Sequence, residues 1–472
     1  MRFSATLAAE KLLPERLAQH ARPLLRRMDG LLFGADERGE ATRMSLIAFV
    51  VRVVSAAIAF LSQVLLARWM GSFEYGIFVF AWTTVIIIGS LSCLGIHTTV
   101  IRFIPEYQEK GALAELRGLL FTSRIFVLAA STLITAAGTA GVWLLRNHVE
   151  SYYLVPFLVG MICMPMIAMS DLLQGMSRAN SWALLALAPT YIVRPILILA
   201  FMAIALFAGY EPTATNTLLV SIAATYVTTL AQLVQVDTRI SRKLPVGPRR
   251  TDLHRWFVVS VPIFLIESFF FLLTNADVLM VGAFMRPDDV AVYFATTKTL
   301  ALVHFVYFAV KAGVAQRYAR FTHGERAKLA PFARATVSWT FWPSVVMAVV
   351  VLALGKPMLM LFGPGFDAGY PLLFLLVAGV VLRASVGPCE SLLTMSGHQN
   401  VCALIYGLTL AVNVVLSVLL IPAIGLWGAA IATAVATLFE AAALSFTVWR
   451  RLGISMAIFL PAKTANTAKE SA

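Results

Sequence analysis

Residues 400–451 read NVCALIYGLTLAVNVVLSVLLIPAIGLWGAAIATAVATLFEAAALSFTVWRR. Before the closing Arg450 and Arg451, the only charged side chain in this stretch is Glu440. Pro422 and Gly425 divide it into two apolar runs, 400–421 and 425–449. Each is about the 20 residues that cross a ~30 Å hydrocarbon core as a helix. In lipid such a run must be helical, because no water is there to satisfy its backbone. Outward from this stretch the same pattern recurs at 44–69, 75–101, 117–145, 153–175, 182–208, 214–237, 256–284, 290–316, 332–354 and 370–396. Hydrophobic residues make up 60% of the 472 and charged residues 13%, roughly half the charge of a soluble domain. The expected fold is an all-α integral membrane protein with about twelve transmembrane helices.

The basic residues set the orientation. With the N-terminus in the cytoplasm, inside segments hold Arg22, Arg26, Arg27, Arg38, Arg43, Lys110, Arg117, the cluster Arg239 to Arg255, Arg317, Arg320, Arg326, Lys328, Arg450 and Arg451. Outside segments hold little beyond Arg68, Arg146, Arg286 and Lys356. That asymmetry places both termini in the cytoplasm. It also accounts for the net charge of +13 without nucleic acid, since the cations lie beside anionic headgroups. Trp69, Trp143, Trp182, Trp256, Trp427 and Trp449 stand at span ends, as in an interfacial belt. Cys93, Cys163, Cys389 and Cys402 lie in or beside spans without metal-ligand spacing and read as packing residues.

Residues 1–43 form a basic cytoplasmic tail. Leu17, Ala21, Leu24, Leu25, Met28, Leu31 and Leu32 recur at helical spacing, which suits an amphipathic interfacial helix. Pro23 favours a frayed tail instead. The segment after Arg451 reads as disordered.

A shift of 215 positions superimposes the two halves. Tyr75–Ala81 meets Val290–Thr296, Arg102-Phe103 meets Arg317-Tyr318, and Pro156 meets Pro371. With five residues inserted, Asn180 meets Asn400. Six spans per repeat give both halves one orientation, about an axis along the membrane normal. The expected domains are an N-lobe at 44–237, a basic linker at 238–255, a C-lobe at 256–449 and a tail at 450–472. Ser45, Arg52, Ala59 and Ser62 share one face of span 1. The shift maps them to Ser260, Glu267, Thr274 and Asp277 on span 7. The two spans thus present matching polar faces, one basic and one acidic.

Ionisable groups in a bilayer cost ~2.5–3.5 kcal/mol each on insertion scales and face a partner or a wet cavity. Arg52, Arg124, Arg194 and Arg383, with Glu267 opposite, are the candidate substrate-binding residues. A guanidinium fork fits phosphate and carboxylate oxygens and stays charged when desolvated. Asp277 and Lys298, at similar depth on neighbouring spans, are expected to form a structural ion pair. Arg383 and Glu390 share a face of span 10, Asp171 and Glu390 suit capping or snorkelling, and His304 reads as a packing histidine. There is no Gly-rich phosphate loop ending in Lys-Ser/Thr and no histidine pair at metal spacing. No cofactor, metal or catalytic residue is therefore expected.

The stretch Leu359-Met-Leu-Phe-Gly-Pro-Gly-Phe-Asp-Ala-Gly-Tyr370, followed by Gly387-Pro388, resembles the second half of polysaccharide flippases. So does the close of the chain, with Asn413, Leu420-Ile-Pro422, Gly425-Leu-Trp-Gly-Ala-Ala-Ile-Ala-Thr433 and Arg450-Arg-Leu-Gly453. In the first half, Leu66-Ala-Arg-Trp-Met-Gly71, Tyr75-Gly76 and Arg102-Phe-Ile-Pro-Glu106 are similar to the early spans and first loop of that family. These flippases belong to the multidrug/oligosaccharidyl-lipid/polysaccharide exporter superfamily. The resemblance covers about residues 44–453. It implies a V-shaped pair of six-helix lobes with spans 1 and 7 bordering a central cleft. It also implies a polyprenyl-pyrophosphate-linked oligosaccharide as substrate, moved across the cytoplasmic membrane for surface polysaccharide biosynthesis. Membrane lipids, a polysaccharide polymerase and a chain-length regulator are the partners it suggests.

Three rival readings are weaker. A facilitator-type twelve-span transporter usually carries a Gly-x-x-x-Asp-Arg-x-Gly-Arg-Arg-like loop after span 2; here that loop reads Arg102-Phe-Ile-Pro-Glu-Tyr-Gln-Glu-Lys-Gly111. A drug exporter of the same superfamily fits a basic cavity poorly. A membrane-embedded polymerase or ligase commonly has a long outer loop, and the longest expected here is roughly 355–369.

Overall fold

The structure, a computed structural model, describes residues 37–458 apart from 149, 243 and 325, with side chains described from residue 54 onward except at 262, 263, 266, 312, 316, 323 and 326. The chain divides into two units, residues 1–59 and 60–472. In the first, the described part is the helical run 37–59; the expected amphipathic helix, Leu17 to Leu32, lies outside the described residues. Every contact below lies within the second unit.

No strand occurs among the described residues. Helix α1 (Glu37–Leu91) is two helices joined at Gly71, whose φ of 75° and ψ of 169° suit glycine alone. Spans 1 and 2 were expected to meet there. The first half continues with α2 (Ile96–Glu109), α3 (Leu113–Leu144), α4 (Ser151–Met161), α5 (Met164–Ala179), α6 (Ala183–Ala188), a π-helical turn at Pro189–Val193, α7 (Arg194–Phe207) and α8 (Ala214–Ser241). The second half has α9 (Leu253–Leu273), α10 (Ala276–Phe284), α11 (Pro287–His323), α12 (Leu329–Met360), α13 (Tyr370–Ala384), α14 (Cys389–Met395), α15 (Gln399–Ile424) and α16 (Leu426–Leu452).

By length and composition, nine helices among the described residues can cross a membrane. The number rises to eleven when the bent pairs α4–α5 (46°) and Glu267–Leu273 with α10 (49°) each count as one span. Val54–Leu91 counts once in that total, although Gly71 divides it. The outer faces of the long helices are apolar and exposed: Leu133, Leu144, Ile204, Phe207, Val346, Val349, Leu404 and Leu419 all stand clear of the protein. In water these faces would be a liability, whereas in a bilayer they are solvated by lipid. The protein is a multi-pass membrane protein.

Lipid gives no hydrophobic drive to join helices, so close packing and polar contacts must hold the bundle. Gly76 shows the packing: any Cβ there would collide with the carbonyl of Pro287. The largest core cluster joins the two halves around Tyr75, Phe78, Phe294, Phe362 and Phe366. Separate cores serve the first half (Phe103, Leu119, Met176) and the second (Tyr318, Leu392, Val448).

Two expectations need correction. Trp256 is not an interfacial belt residue. It is buried, and its indole Nε1 donates to the Tyr107 hydroxyl at 3.0 Å. Nor is the start of the C-terminal tail loose. Ile454 and Met456 are buried in the second core, and the Ile458 N–H donates to the Ser385 carbonyl at 3.1 Å. Residues 459–472 lie outside the described residues. Trp143, Trp427 and Trp449 are exposed, and all four cysteines are buried.

Candidate functional site

The two halves meet at two ends with different chemistry. At the linker end, α2 lies against α9. His97 Nε2 stands 3.0 Å from Glu267 Oε2, and the Thr99 and Ser260 hydroxyls share a hydrogen bond. Arg255 Nη2 reaches Glu106 Oε1 at 2.8 Å, and Lys110 reaches the same oxygen at 2.7 Å. The hydrogen bond from Lys110 is the main cause of a Glu106 carboxyl held below its ordinary value, with Arg255 adding to the effect. Glu267 keeps 46% of its side-chain surface exposed, so this contact can exchange partners with water.

At the opposite end the seal is apolar. Tyr75 packs edge-on to Phe294 with centroids 6.2 Å apart, and Phe60 edge-on to Phe362 at 5.5 Å. Arg68 supports this seal. Arg68 Nε donates to the Leu361 carbonyl at 2.6 Å and Nη2 to the Met360 carbonyl at 3.3 Å. These carbonyls end α12 and have no helical partner, so a cation satisfies both their hydrogen bonds and the helix dipole. Ser72 donates to Asp288 beside it. A cavity of about 450 Å³ opens there, lined by Arg68, Ser72, Phe362, Phe366 and Asp367.

Arg383 lies inside the second half. Its Nη2 is 2.6 Å and its Nε 3.1 Å from Glu440 Oε1, and Nη2 is 3.5 Å from Glu390 Oε2. The guanidinium stacks over Tyr307 at 4.5 Å. Glu390 also holds Lys311 at 3.1 Å and accepts from the Tyr307 hydroxyl. Two cations thus face two carboxylates, and Arg383 is only 9% exposed. Its charge is spent within the helix bundle.

Arg124 Nη1 is 2.6 Å from Asp237 Oδ1, at the linker end of α3 and α8. Arg194 is half-buried and follows the π-helical turn; its N–H donates to the Pro189 carbonyl five residues back. Pro189 and Pro195 flank this register change, as expected where proline disturbs a helical ladder. Asp171 lies within electrostatic reach of Arg194. The Arg52 side chain lies outside the described residues. The structure therefore does not draw Arg124, Arg194 and Arg383 together. Glu267 meets His97, not an arginine.

Asp277 accepts from the Val278 N–H at 2.8 Å and the Tyr293 hydroxyl at 3.3 Å, and the Lys298 ammonium sits 4.5 Å from the Phe294 ring centroid. Among the described residues Asp277 and Lys298 make no salt bridge within 4 Å, although the two charges lie within electrostatic reach of each other.

His97, Arg68, Asp237 and the Tyr107–Trp256 bond were not singled out from the sequence. His97 is one of seven scattered histidines, and Arg68 counted only as a loop charge. Arg68 is 292 residues from Met360, and no spacing rule records such a contact. Charge at a span end beside a helix-breaking glycine was the one available signal for Arg68.

A family model described as polysaccharide biosynthesis protein matches residues 41–315. Among solved structures, the lipid II flippase MurJ in an inward closed conformation is similar at a TM-score of 0.65 and 14% identity, covering 85% of this chain and 87% of that one. An inward-facing multidrug resistance MATE family transporter of the MOP superfamily gives a TM-score of 0.65 at 14% identity, covering 86% and 97%. A MOP superfamily transporter from Pyrococcus furiosus gives 0.59 at 14% identity, covering 90% and 97%. At this identity the likeness is one of fold. No curated protein matches.

Proposed function

The chain belongs to the polysaccharide biosynthesis protein family, and on that premise we propose that it is a flippase for a polyprenyl-pyrophosphate-linked oligosaccharide. In this reading twelve spans form two six-span repeats, 44–237 and 256–449, joined by the linker 238–255. The break in α1 at Gly71 supports counting that helix as two spans, which would bring the total to twelve. The lobes rock so that the space between them opens alternately to each leaflet of the cytoplasmic membrane. Both termini are cytoplasmic, and the substrate is carried from the cytoplasmic to the outer leaflet, where a polysaccharide polymerase and a chain-length regulator would take it up.

The observation that carries this reading is the pair of dissimilar closures between the halves. His97–Glu267 and Glu106–Arg255 at one end are polar contacts that water can replace. The aromatic seal with Arg68 at the other end breaks only if the halves separate there. Alternating access needs two closures that open in turn.

For the head group we propose Arg194 and Glu267, with Arg52 added on sequence grounds as the repeat counterpart of Glu267. Arg124 and Arg383 have carboxylate partners of their own and are assigned secondary roles. A guanidinium can receive the pyrophosphate while the polyprenyl tail stays in lipid. The test is surface-polysaccharide production in a flippase-deficient host at matched membrane abundance. Arg194→Ala and Arg52→Ala should each lose most export, and the lysine variants should keep more of it. Normal export by both alanine variants would remove these residues from the mechanism.

A further inference from the structure

A second cavity, of about 420 Å³, lies between the linker end of α3 and the linker itself, lined by Arg117, Arg124, Arg249, Asp237 and Phe121 among others. We propose that it is a phosphoryl-binding site that takes the headgroup of an anionic lipid. Three guanidinium groups face one carboxylate across a space otherwise walled by apolar side chains and backbone.

Each arginine is held in place before any ligand arrives. Arg117 Nε donates to the Pro245 carbonyl at 2.7 Å and Nη1 to the Pro248 carbonyl at 3.4 Å. Arg249 lies over the Phe121 ring at 3.9 Å. Arg124 is anchored through Nη1 to Asp237. Its Nε is buried and meets no hydrogen-bond partner among the described residues. A buried donor on a cation is costly to leave unpaired, so an acceptor belongs beside it. A phosphoryl oxygen supplies that acceptor and balances the excess positive charge.

The surroundings favour a lipid as its source. Phe121, Ile125 and Leu128 follow one face of α3 away from the cavity, and all three are exposed. An acyl chain laid along that stripe brings its own phosphate to the arginines. The linker itself is tied down here, since the Arg250 N–H donates to the Ala114 carbonyl at 2.9 Å. The bound lipid would therefore fasten the linker to the first half.

The test uses the purified, delipidated full-length chain. Native mass spectrometry with equimolar phosphatidylglycerol and phosphatidylcholine reads lipid retention. Thermal unfolding with phosphatidylglycerol, or with inorganic pyrophosphate at equal ionic strength, separates the two sources of phosphate. The wild type should retain phosphatidylglycerol selectively, and Arg249→Gln or Arg117→Gln should each reduce that selectivity by about fivefold, as one surface cation near a lipid phosphate contributes. Gly247→Ala gives a variant that removes no charge: a Cβ there meets the Arg117 guanidinium at 2.6 Å and must displace it, and selectivity should fall. An equal, arginine-dependent shift with pyrophosphate keeps the phosphoryl site but overturns the lipid as its ligand. Equal retention of both lipids by the wild type, or selectivity that survives the Arg117→Gln/Arg249→Gln double variant, overturns the site.

Discussion

Glu440→Gln should destabilise the protein, and replacing the whole pair, in Arg383→Met/Glu440→Leu, should largely avoid the loss. Removing one partner of a buried ion pair costs about 3–5 kcal/mol, because the other charge is left in low dielectric. Glu440 provides the nearest oxygen to Arg383, at 2.6 Å, while Glu390 remains at 3.5 Å. The residual carboxylate places the expected cost at the lower bound, about 3 kcal/mol, or roughly a 150-fold shift in the folding equilibrium. Arg383→Met alone should cost more, toward ~5 kcal/mol, because two carboxylates then share Lys311 as their one cation. In Arg383→Met/Glu440→Leu the remaining Lys311–Glu390 pair, at 3.1 Å, is balanced, and replacing a whole buried pair by apolar groups is near neutral. The assay is heat-dependent loss of monodisperse, fluorescently tagged protein in detergent. A Glu440→Gln variant as stable as the wild type would refute the reasoning, as would a double variant no better than the singles. Export at matched abundance adds a second readout. A stable double variant that exports normally makes Arg383 structural; one that is stable but inactive returns it to the substrate path.

Three further outcomes are expected. Arg68→Ala should loosen the end opposite the linker by about 1 kcal/mol, the value of a charged hydrogen bond discounted for exposure; the disulfide yield between Ser72→Cys and Asp288→Cys should fall, and an unchanged yield counts against the role of Arg68. Gly76→Val should abolish close approach to Pro287 and lower that same yield further. Glu106, with its folded pKa lowered, stabilises the linker-end contact above its ordinary value of 4.5, and that stability is lost as pH falls through the lowered folded value; Glu106→Gln should remove this acid sensitivity from cross-linking across α2 and α9.

The helices were legible because periodicity was not needed: a run of ~20 apolar residues has one stable state in lipid. Gly71 and Gly425 were readable as breaks for the same reason. Charge in the spans was equally readable, and Arg383, Glu390, Glu440 and Lys311 all carry partners as insertion cost requires. Partner choice was not readable. Arg124 and Asp237 are 113 residues apart, and Arg383 and Glu440 57 apart, so only the bundle brings them together. The sequence pointed to a shared basic cavity because like charges at similar depth look alike until their counter-ions are located. Trp256 misled for a related reason: an indole at a span end suits a lipid interface and a helix–helix contact equally well.

The two closures are unequal in what opening them demands. At the linker end, separation releases His97, Glu267, Glu106 and Arg255 to water, which solvates charges nearly as well as their partners do. At the other end, separation bares Tyr75, Phe294, Phe362 and Phe366 from the shared core. Where opening lets water into the cleft, each aromatic, which buries ~150–250 Å², loses burial at about 25 cal/mol per Å² of surface that becomes wet, so four of them represent up to ~15–25 kcal/mol as an upper bound. Only part of that surface faces across the halves, yet a fraction of it exceeds what two part-exposed polar contacts supply. On the proposed alternating-access reading, the unloaded protein opens more readily at the linker end, where the basic segments would also gather anionic lipid and a lipid-linked substrate. In that reading, opening the aromatic end needs free energy from substrate binding or from a coupled gradient, delivered at the proposed head-group site between the halves. Such a transporter would wait with its linker end accessible and commit to the opposite leaflet only when loaded.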